Sequence, residues 1–291
     1  MNDPNKGALF KGAPFEFESM SKLPSIPRLE QVLGLLENMA PANLAEPWDN
    51  PGLQVGSYSS PIKKILLSLD PTMKALMAAS RAQAQLLLTH HPLIFKPLTR
   101  MDVESFPGNV ILEAAKKSIS VVAVHTNLDA ARGGMNDILA EIMGLEDVEA
   151  FGGREGEEDS GLGRIGYLSE PASMQALAER VRTLLGTRNL RVTIPKEGPI
   201  RRIAIVGGSG GSMIPLASEK GADLLLTGDV GHHHALEAKS RGMALLDGGH
   251  FCMEKKAFNA FCPHFRERLA EQGWDVVVEV DDDESDPLEA I

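Results

Sequence analysis

Two adjacent histidines, His90 and His91, directly follow an apolar run in the stretch LLLTHHPLIF (86–95). Imidazole nitrogens are common metal ligands, so a pair of them at the end of a buried strand favours a metal site. A solvated turn is the alternative interpretation, because polar residues next to a proline are typical of turns. The choice between the two depends on whether other ligand-type side chains fall at matching positions.

Histidines and carboxylates recur where later apolar runs end. His125 and Asp129 follow VVAV, and His250 and Glu254 follow ALLDGG. If a helix begins after Gly249, the four-residue spacing of His250 and Glu254 places both side chains on one helix face. An imidazole and a carboxylate on one face are a usual way of holding a transition metal.

Together these positions supply more nitrogen and oxygen ligands than one open metal site requires. His90, His91, Asp129, His250 and Glu254 make five, whereas a tetrahedral catalytic site uses three protein ligands and a water. Two ions about 3.5–4 Å apart, joined by a bridging carboxylate, suit such a set. Because His and carboxylate ligands accept Zn, Fe(II), Mn, Co or Ni, the pattern predicts two divalent ions without identifying the metal.

Predicted strands and helices alternate around these residues. Apolar runs predict strands at 63–70, 84–91 and 119–129, and helical patterns predict helices at 72–82 and 109–118 between them. This alternation predicts a parallel sheet covered by helices. Ligands of such sheets bind at the carboxyl ends of the strands, which is where the histidines and carboxylates fall.

The second half of the chain repeats the first. Residues 64–89 align with 202–227 at a constant offset of 138 positions, with eight of 26 residues identical and LLLT shared in full. Asp229 follows the second LLLT as His90 and His91 follow the first. Matching strand–helix–strand order favours an internal duplication, which predicts an α/β fold of two similar lobes with a metal-binding cleft between them.

Composition shifts divide the chain into five parts. The predicted parts are an N-terminal extension, a first α/β lobe, a short connecting α/β segment, a second α/β lobe and an acidic tail. Their bounds are 1–24, 25–151, 152–200, 201–278 and 279–291.

Charge and composition exclude several classes of protein. The net charge of −11 argues against nonspecific binding to a nucleic-acid backbone. No apolar run approaches the roughly 20 residues that a membrane span needs, so we expect no membrane insertion. Two cysteines suit a reducing compartment, and without a secretory signal pattern the sequence predicts a cytoplasmic protein.

Six motifs in order resemble the Nif-three-like family, over nearly all of residues 25–275. They are EPWDNPGLQVG (46–56), LLLTHHPLIF (86–95), HTNLDAARGGMND (125–137), GGSGG (207–211), TGDVGHHHALEA (227–238) and DGGHFCMEKKAF (247–258). The resemblance implies a two-lobed α/β fold, a dinuclear metal site and a ring-shaped homohexamer. It also implies that the five residues from His90 to Glu254 named above are the metal ligands.

Two further histidines are candidates for a role beside the metals. His125 is either a residue that orients a ligand or transfers a proton, or a hydrogen-bonded histidine at a strand end. The tract HHH (232–234) by itself is typical of a solvated helix start. The family resemblance implies that His233 faces the cleft, where it would orient a ligand or transfer a proton.

Two loops are candidates for substrate binding. The loop of Gly207, Gly208, Ser209 and Gly210 follows a strand, and such a loop either presents backbone N–H groups to a phosphate or packs tightly for structural reasons. It lacks the lysine of a P-loop. In the stretch WDN (48–50), Asp49 and Asn50 either form a capped turn or line the cleft.

Two classes of function fit these observations. The first is a metal-dependent hydrolase acting on a nucleotide or a similar phosphorylated heterocycle, because bacterial members of the family are commonly named GTP cyclohydrolase 1 type 2 homologues. A divalent metal lowers the pKa of bound water toward 7, which suits hydrolytic opening of a purine ring. The second class is a non-enzymatic metal carrier or regulatory scaffold, because the ligand types are the same for both.

Overall fold

The computed structural model describes residues 25–154, 160–187, 189–195 and 198–288, so the predicted N-terminal extension lies outside the described residues. The helices are α1 (Leu29–Met39), α2 (Met73–Arg81), α3 (Gly108–Lys117), α4 (Thr126–Ala130), α5 (Met135–Ile142), α6 (Met174–Leu185), α7 (Ile214–Glu219), α8 (His232–Ser240) and α9 (His250–Glu271). The strands are β1 (Gly52–Val55), β2 (Lys64–Ser68), β3 (Leu86–Thr89), β4 (Ser120–Ala123), β5 (Glu146–Phe151), β6 (Gly163–Ala172), β7 (Arg191–Thr193), β8 (Ile200–Ile205), β9 (Leu224–Thr227), β10 (Ala244–Asp247) and β11 (Val277–Val280).

The first sheet has five strands in the order β1-β4-β3-β2-β11. Strands β4, β3, β2 and β11 are parallel, and β1 joins the edge antiparallel to β4. The sequences of β3 and β4, LLLT and SVVA, are buried along their whole length. Continuous burial is expected for parallel strands with helices on both faces.

The second sheet has six strands in the order β5-β6-β8-β9-β10-β7. Its three central strands, β8, β9 and β10, are parallel, while β5, β6 and β7 pair antiparallel at the two sides. The protein therefore has a mixed α/β fold with two sheets. Within the described residues, no helix combines the length and apolarity needed to cross a membrane.

The two parallel strand pairs have the same register. Ile65 pairs with Leu86 between β2 and β3, and Ile203 pairs with Leu224 between β8 and β9. Each residue of the second pair lies 138 positions after its counterpart in the first pair, which is the offset between the repeated sequences. In each pair a helix, α2 or α7, connects the first strand to the second.

Strand pairing crosses the boundaries predicted from composition. Strands β6 and β7 belong to the predicted connecting segment, and β5 lies at the end of the predicted first lobe, yet all three pair within the second sheet. Near the other end of the chain, Val277 pairs with Lys64, so β11 returns to the first sheet. The five-part division remains a prediction about the chain, but the sheets do not follow it.

Helix α9 packs most of its length into the larger hydrophobic core. Phe258, Phe261 and Phe265 are buried on one stripe, and their rings stack successively at 6.0 and 5.8 Å between centroids. The same stripe continues toward the start of the helix through Met253 and Glu254. The helix thus directs a carboxylate toward the interior along with its apolar residues.

The strand predicted at 119–129 is shorter than expected. Strand β4 ends at Ala123, and the one-turn helix α4 begins at Thr126, with His125 as its N-cap residue. Asp129 therefore lies in a short helix and not on a strand. The helix is buried, and Asp129 is 8% exposed.

Candidate metal centre

Elements of both sheets bring the predicted ligands together. His90 and His91 leave the carboxyl end of β3, and Asp129 lies in α4, which follows β4 of the same sheet. His250 is the first residue of α9, directly after β10 of the second sheet, and Glu254 lies one turn later. The helix that the sequence predicts after Gly249 is confirmed at that residue.

Glu254 lies at the centre of the group. Its Oε2 is 2.9 Å from His250 Nε2 and 3.1 Å from His91 Nε2, and its Oε1 is 3.7 Å from His90 Nε2. The two histidine nitrogens of His91 and His250 are 3.3 Å apart. One carboxylate therefore faces three imidazoles, which is the arrangement of a shared ligand.

Three buried polar atoms of the group have no hydrogen-bond partner among the described residues, and one of them is Glu254 Oε2. The other two are His90 Nε2 and Asp129 Oδ1, which lie 3.6 Å apart. His90 is fully buried, and a buried polar group without a partner costs free energy. A cation between the two atoms would satisfy both, so these residues fit a metal ion.

Hydrogen bonds on the far side of each ring orient His90 and His91. His90 Nδ1 is 2.8 Å from the carbonyl oxygen of Val124, and His91 Nδ1 is 2.7 Å from Asp70 Oδ1. An oxygen at Nδ1 favours the tautomer with its proton there. The Nε2 lone pair of each ring then points toward Glu254 as a potential ligand.

The same arrangement holds the other two histidines. His125 Nδ1 is 2.7 Å from Asp49 Oδ1, and His250 Nδ1 is 2.7 Å from Asp229 Oδ2. All four rings thus have Nδ1 on an oxygen acceptor, as is usual for metal-binding histidines. Repetition of one pattern at four rings from different elements favours ligation over a collection of unrelated hydrogen bonds.

The donor atoms form two overlapping groups that could each hold a metal ion. One consists of His90, His91 and His125, and the other consists of His91, His250 and Glu254. Within each group the ligand atoms lie within 4.8 Å of one another. Membership of His91 in both groups places the two potential ion positions side by side.

In the metal-free protein, two histidines of the group have raised pKa values and hold protons that a metal cation would replace. Burial lowers the pKa of His91, but its hydrogen bonds to Asp70 and Glu254 outweigh that effect and raise the pKa to about 10. Burial also opposes the effect of Glu254 and Asp229 on His250, whose pKa is raised to about 9. Protons on these rings therefore balance the carboxylates near neutral pH.

The two buried carboxylates respond to their surroundings in opposite directions. Burial raises the pKa of Asp129 to about 6. Burial would raise that of Glu254 as well, but the positive field of His90 and hydrogen bonds from the neighbouring histidines hold its pKa well below the ordinary value. Of the two carboxyls, Glu254 therefore remains ionised to a lower pH.

Asp49 is part of the framework behind the centre. Its Oδ2 accepts hydrogen bonds from the Thr126 backbone N–H at 3.1 Å and from the Thr126 hydroxyl at 2.5 Å, while Oδ1 faces His125. Burial raises its pKa, but the contact with His125 outweighs burial and lowers the value to about 2. Asn50 instead donates to the carbonyl oxygen of Ile94 at 2.6 Å, so it fixes the adjacent loop.

A cavity of about 430 Å³ opens onto the group. Its walls include His91, His125 and Glu254, together with the rings of Trp48 and Phe95, which both contact the His125 ring. The two aromatic rings are 5.6 Å apart between centroids, and each is about half exposed. This volume lies in the roughly 300–1,000 Å³ range of small-molecule sites.

The glycine loop approaches the centre closely. Gly208 has a φ of +61°, and a Cβ there would lie 2.2 Å from Glu254 Oε1. The N–H of Gly207 donates to Asn136 Oδ1, and that of Gly210 donates to Thr227 Oγ1. These two amides are engaged within the protein, so tight packing accounts for the glycines, while Gly207 and Ser209 also line the cavity.

His233 does not join the group within the chain. It is exposed in the first turn of α8, where its ring contacts that of His232 at 5.6 Å. The sequence pattern indicated no role for Asp70 and only a strand-end position for Asp229, although both accept hydrogen bonds from histidines that are predicted ligands. The one sequence signal that could have identified Asp70 and Asp229 was their position, since each follows a parallel strand, β2 or β9.

The fold and the site define a class: a two-sheet α/β protein whose histidine and glutamate side chains could hold a metal ion at the carboxyl ends of its strands. The chain belongs to the Duf34/NIF3 (NGG1p interacting factor 3) family, whose model matches residues 27–287. The family resemblance seen in the six sequence motifs is therefore confirmed.

Known proteins similar to this chain share both its sequence and its fold. A Clostridium perfringens protein named GTP cyclohydrolase 1 type 2 homolog is 34% identical over 264 residues, which cover 91% of this chain and 100% of that protein. A Staphylococcus aureus hypothetical protein of known structure has a TM-score of 0.85 and 26% identity, covering 91% and 99% of the two chains. A Bacillus cereus protein related to NIF3 has a TM-score of 0.84 and 25% identity, covering 92% and 100%.

Proposed function

We propose that the protein binds two divalent metal ions in the cleft between its sheets. His90, His91, Asp129, His250 and Glu254 would hold them, with Glu254 facing both positions. The single observation that supports this most is the convergence of three Nε2 atoms on one buried carboxylate while every Nδ1 is held by an oxygen. Zn, Fe(II), Mn, Co and Ni all suit these ligands.

We further propose that the protein is a hydrolase acting on a nucleotide or a similar phosphorylated heterocycle. The bound ions would supply Lewis-acid activation of water near neutral pH. His125, which Asp49 holds and which lines the cavity, would accept or donate a proton. Trp48 and Phe95 offer an apolar wall against which a planar ring would stack.

Support for the substrate class comes from the relatives. The Clostridium perfringens relative carries the name GTP cyclohydrolase 1 type 2 homolog, and it covers nearly the whole of this chain. GTP is therefore the first substrate to test. The aromatic wall suits its base, and a cavity of about 430 Å³ accommodates a molecule of that class.

Metal analysis followed by a nucleotide screen tests this proposal. Protein loaded with each of the five candidate metals is assayed by elemental analysis and then incubated with GTP, other nucleotides and phosphoesters. We expect close to two metal equivalents per chain and metal-dependent turnover of at least one compound. One equivalent in a saturated sample would contradict the dinuclear site, and metal-loaded protein without any turnover would contradict the hydrolase.

A metal carrier is the second candidate, and the exposure of one edge of the centre favours it. The side chain of His250 is 31% exposed and that of Asp229 is 48% exposed, so solvent reaches that edge. An exchangeable ion needs such access. Transfer of metal to an acceptor protein faster than spontaneous release, without turnover of any compound, would establish the carrier over the hydrolase.

The two sheets support an internal duplication. The pairs β2–β3 and β8–β9 share one register at the offset of 138 positions found in the sequence, and a helix connects each pair. The histidines that follow β3 have Gly228 and Asp229 as their counterparts after β9. In this proposal the residues after β3 are direct ligands, while Asp229 at the matching position after β9 orients the ligand His250.

A further inference from the structure

Glu284, in the segment after β11, is a buried carboxylate far from the ligands in sequence. Its Oε1 accepts hydrogen bonds from the Ser68 hydroxyl at 2.6 Å and from the Asp70 backbone N–H at 2.9 Å. Its Oε2 accepts from the Leu69 backbone N–H at 2.8 Å. One side chain therefore holds three consecutive residues at the carboxyl end of β2.

The same carboxylate also contacts helix α9 beside the metal centre. Lys255 Nζ lies 2.5 Å from Glu284 Oε2 and donates to the carbonyl oxygen of Asp281 at 2.7 Å. The side chains of Lys255 and Glu284 are 13% and 8% exposed, so water screens this ion pair weakly. Lys255 directly follows Glu254 in the chain, so the ion pair fixes the backbone next to a ligand.

Asp70 connects this buried cluster to the centre from the other side. Glu284 holds the Asp70 backbone, and the Asp70 carboxylate holds His91 Nδ1 at 2.7 Å. An outer carboxylate that orients a ligand histidine typically contributes 10–100-fold to metal affinity. By holding Asp70, Glu284 therefore affects the orientation of His91 indirectly.

We propose that Glu284 is a positioning residue for the metal centre. It holds Asp70 against His91 through the end of β2, and it holds the start of α9 through Lys255. The inference rests on the proposed metal binding and adds to it a role for the acidic tail, a segment to which the sequence assigned none. It predicts that loss of this carboxylate disturbs His91 more than it disturbs the fold.

A double-mutant cycle with cobalt tests the proposal. Cobalt(II) affinity and its visible d–d spectrum are measured for the wild type, Glu284→Ala, Asp70→Asn and the double variant. We expect Glu284→Ala to weaken cobalt binding about tenfold and to alter the spectrum. Because Glu284 acts partly through Asp70, the double variant should lose less affinity than the sum of the two single losses. An unchanged affinity, or losses that simply add, would overturn the proposal.

Two further variants separate positioning from general destabilisation. Glu279→Ala removes another ion pair of the same C-terminal segment, because Glu279 lies 2.8 Å from Lys64 at the opposite end of β2, and it should leave cobalt affinity unchanged. Glu284→Gln keeps one oxygen acceptor and should bind cobalt with an affinity between those of wild type and Glu284→Ala. An equal loss of affinity in Glu279→Ala would assign the effect to lost stability and contradict positioning.

A measurement without metal keeps this inference distinguishable from the proposed function. Nitrogen-15 NMR of the imidazoles in the metal-free protein reports the hydrogen bond at His91 Nδ1. Glu284→Ala should shift the His91 signals and leave those of His125 in place. If the wild type binds no cobalt, the metal site is wrong, whereas unchanged His91 signals in Glu284→Ala would contradict the positioning role alone.

Discussion

Glu254 lies on the apolar stripe of α9, between Met253 and Ala257, and is 3% exposed. An ionised carboxylate at such a position costs several kcal/mol unless cations or hydrogen bonds compensate it. In the metal-free protein, protonated His91 and His250 provide that compensation. In the metal-loaded protein, the ions would provide it instead.

Replacement of Glu254 by glutamine tests its role as the shared ligand. Glu254→Gln preserves the shape of the side chain but removes its charge, so we expect metal content to fall from about two equivalents to one or fewer. Elemental analysis of the purified, reloaded protein measures this. Glu267→Gln, at an exposed position of the same helix, is the matched control and should keep full metal content.

Asp281, which is not itself a predicted ligand, allows a test of how stability depends on pH. Burial raises the pKa of this carboxyl, whose neighbours include Lys255, Asp283 and Glu284. A raised folded-state pKa favours the protonated form in the folded protein. The stability it contributes is present below the unfolded value of about 3.8 and is lost as the pH rises through the folded value.

Asp281→Asn removes this pH dependence, because asparagine is neutral throughout. We expect the variant to unfold at a higher temperature than the wild type at pH 7, and the difference to narrow as the pH falls toward 4. Calorimetry at several pH values measures this difference in unfolding temperature. Asp282→Asn, at the exposed neighbouring position, should show no such trend. A difference in unfolding temperature that grows as the pH falls would contradict a raised pKa of Asp281 in the folded protein.

At the scale of elements, the glycine loop and α9 depend on each other. Gly208→Ala places a methyl group where Glu254 Oε1 lies and imposes a side chain at φ +61°, so it should reduce both stability and metal content. Gly186→Ala is the matched control, because Gly186 has a similar φ of +69° with open space around it. Calorimetry measures the loss of stability in each variant. Elemental analysis should show a loss of metal in Gly208→Ala only.

The elements that carry the predicted metal ligands were largely predictable from sequence. Apolar runs predicted β3 and β10, and the i, i+4 spacing of His250 and Glu254 predicted the start of α9 at His250. The turn of helix at α4 was missed, since five residues are too few for periodicity to reveal a helix. Asp129 lies 3.6 Å from His90, but it is in a helix where the sequence pattern predicted a strand.

Long-range contacts set the limit of that prediction. Asp70 and Asp229 orient histidines that are 21 residues away in each case, and no local pattern records such pairs. Strand β11 was assigned to the second lobe and the tail because its pairing partner β2 lies near the other end of the chain. Glu284 was invisible for the same reason, as its contacts with 68–70 span most of the sequence.

At the scale of the whole molecule, the homohexamer is a prediction from the family resemblance, and an exposed apolar loop is the surface on which to test it. Between β3 and α3, side chains at least 42% exposed are concentrated at Phe95, Leu98, Met101, Val103 and Phe106. Contiguous exposed apolar residues are typical of surfaces that another chain covers. The family resemblance predicts an assembly of six chains. The exposed loop is a candidate surface for contacts between them.

Light scattering coupled to size exclusion tests the assembly. We expect a mass of six chains at micromolar concentration, and a smaller species for Met101→Asp, because a charge in a buried apolar interface is unfavourable. Circular dichroism checks that the variant remains folded. A monomeric wild type would contradict the hexamer, and an unchanged mass in Met101→Asp would exclude the loop from the interface.

The return of β11 to the first sheet has a consequence for synthesis on the ribosome. Strand β2 emerges early, but the neighbour that covers its edge emerges only after nearly the whole described chain has been translated. Until then β2 presents unpaired backbone groups, and Glu284 is absent from its end. We therefore expect nascent chains to need protection from aggregation until β11 has emerged, and metal to be acquired after that point rather than earlier in translation.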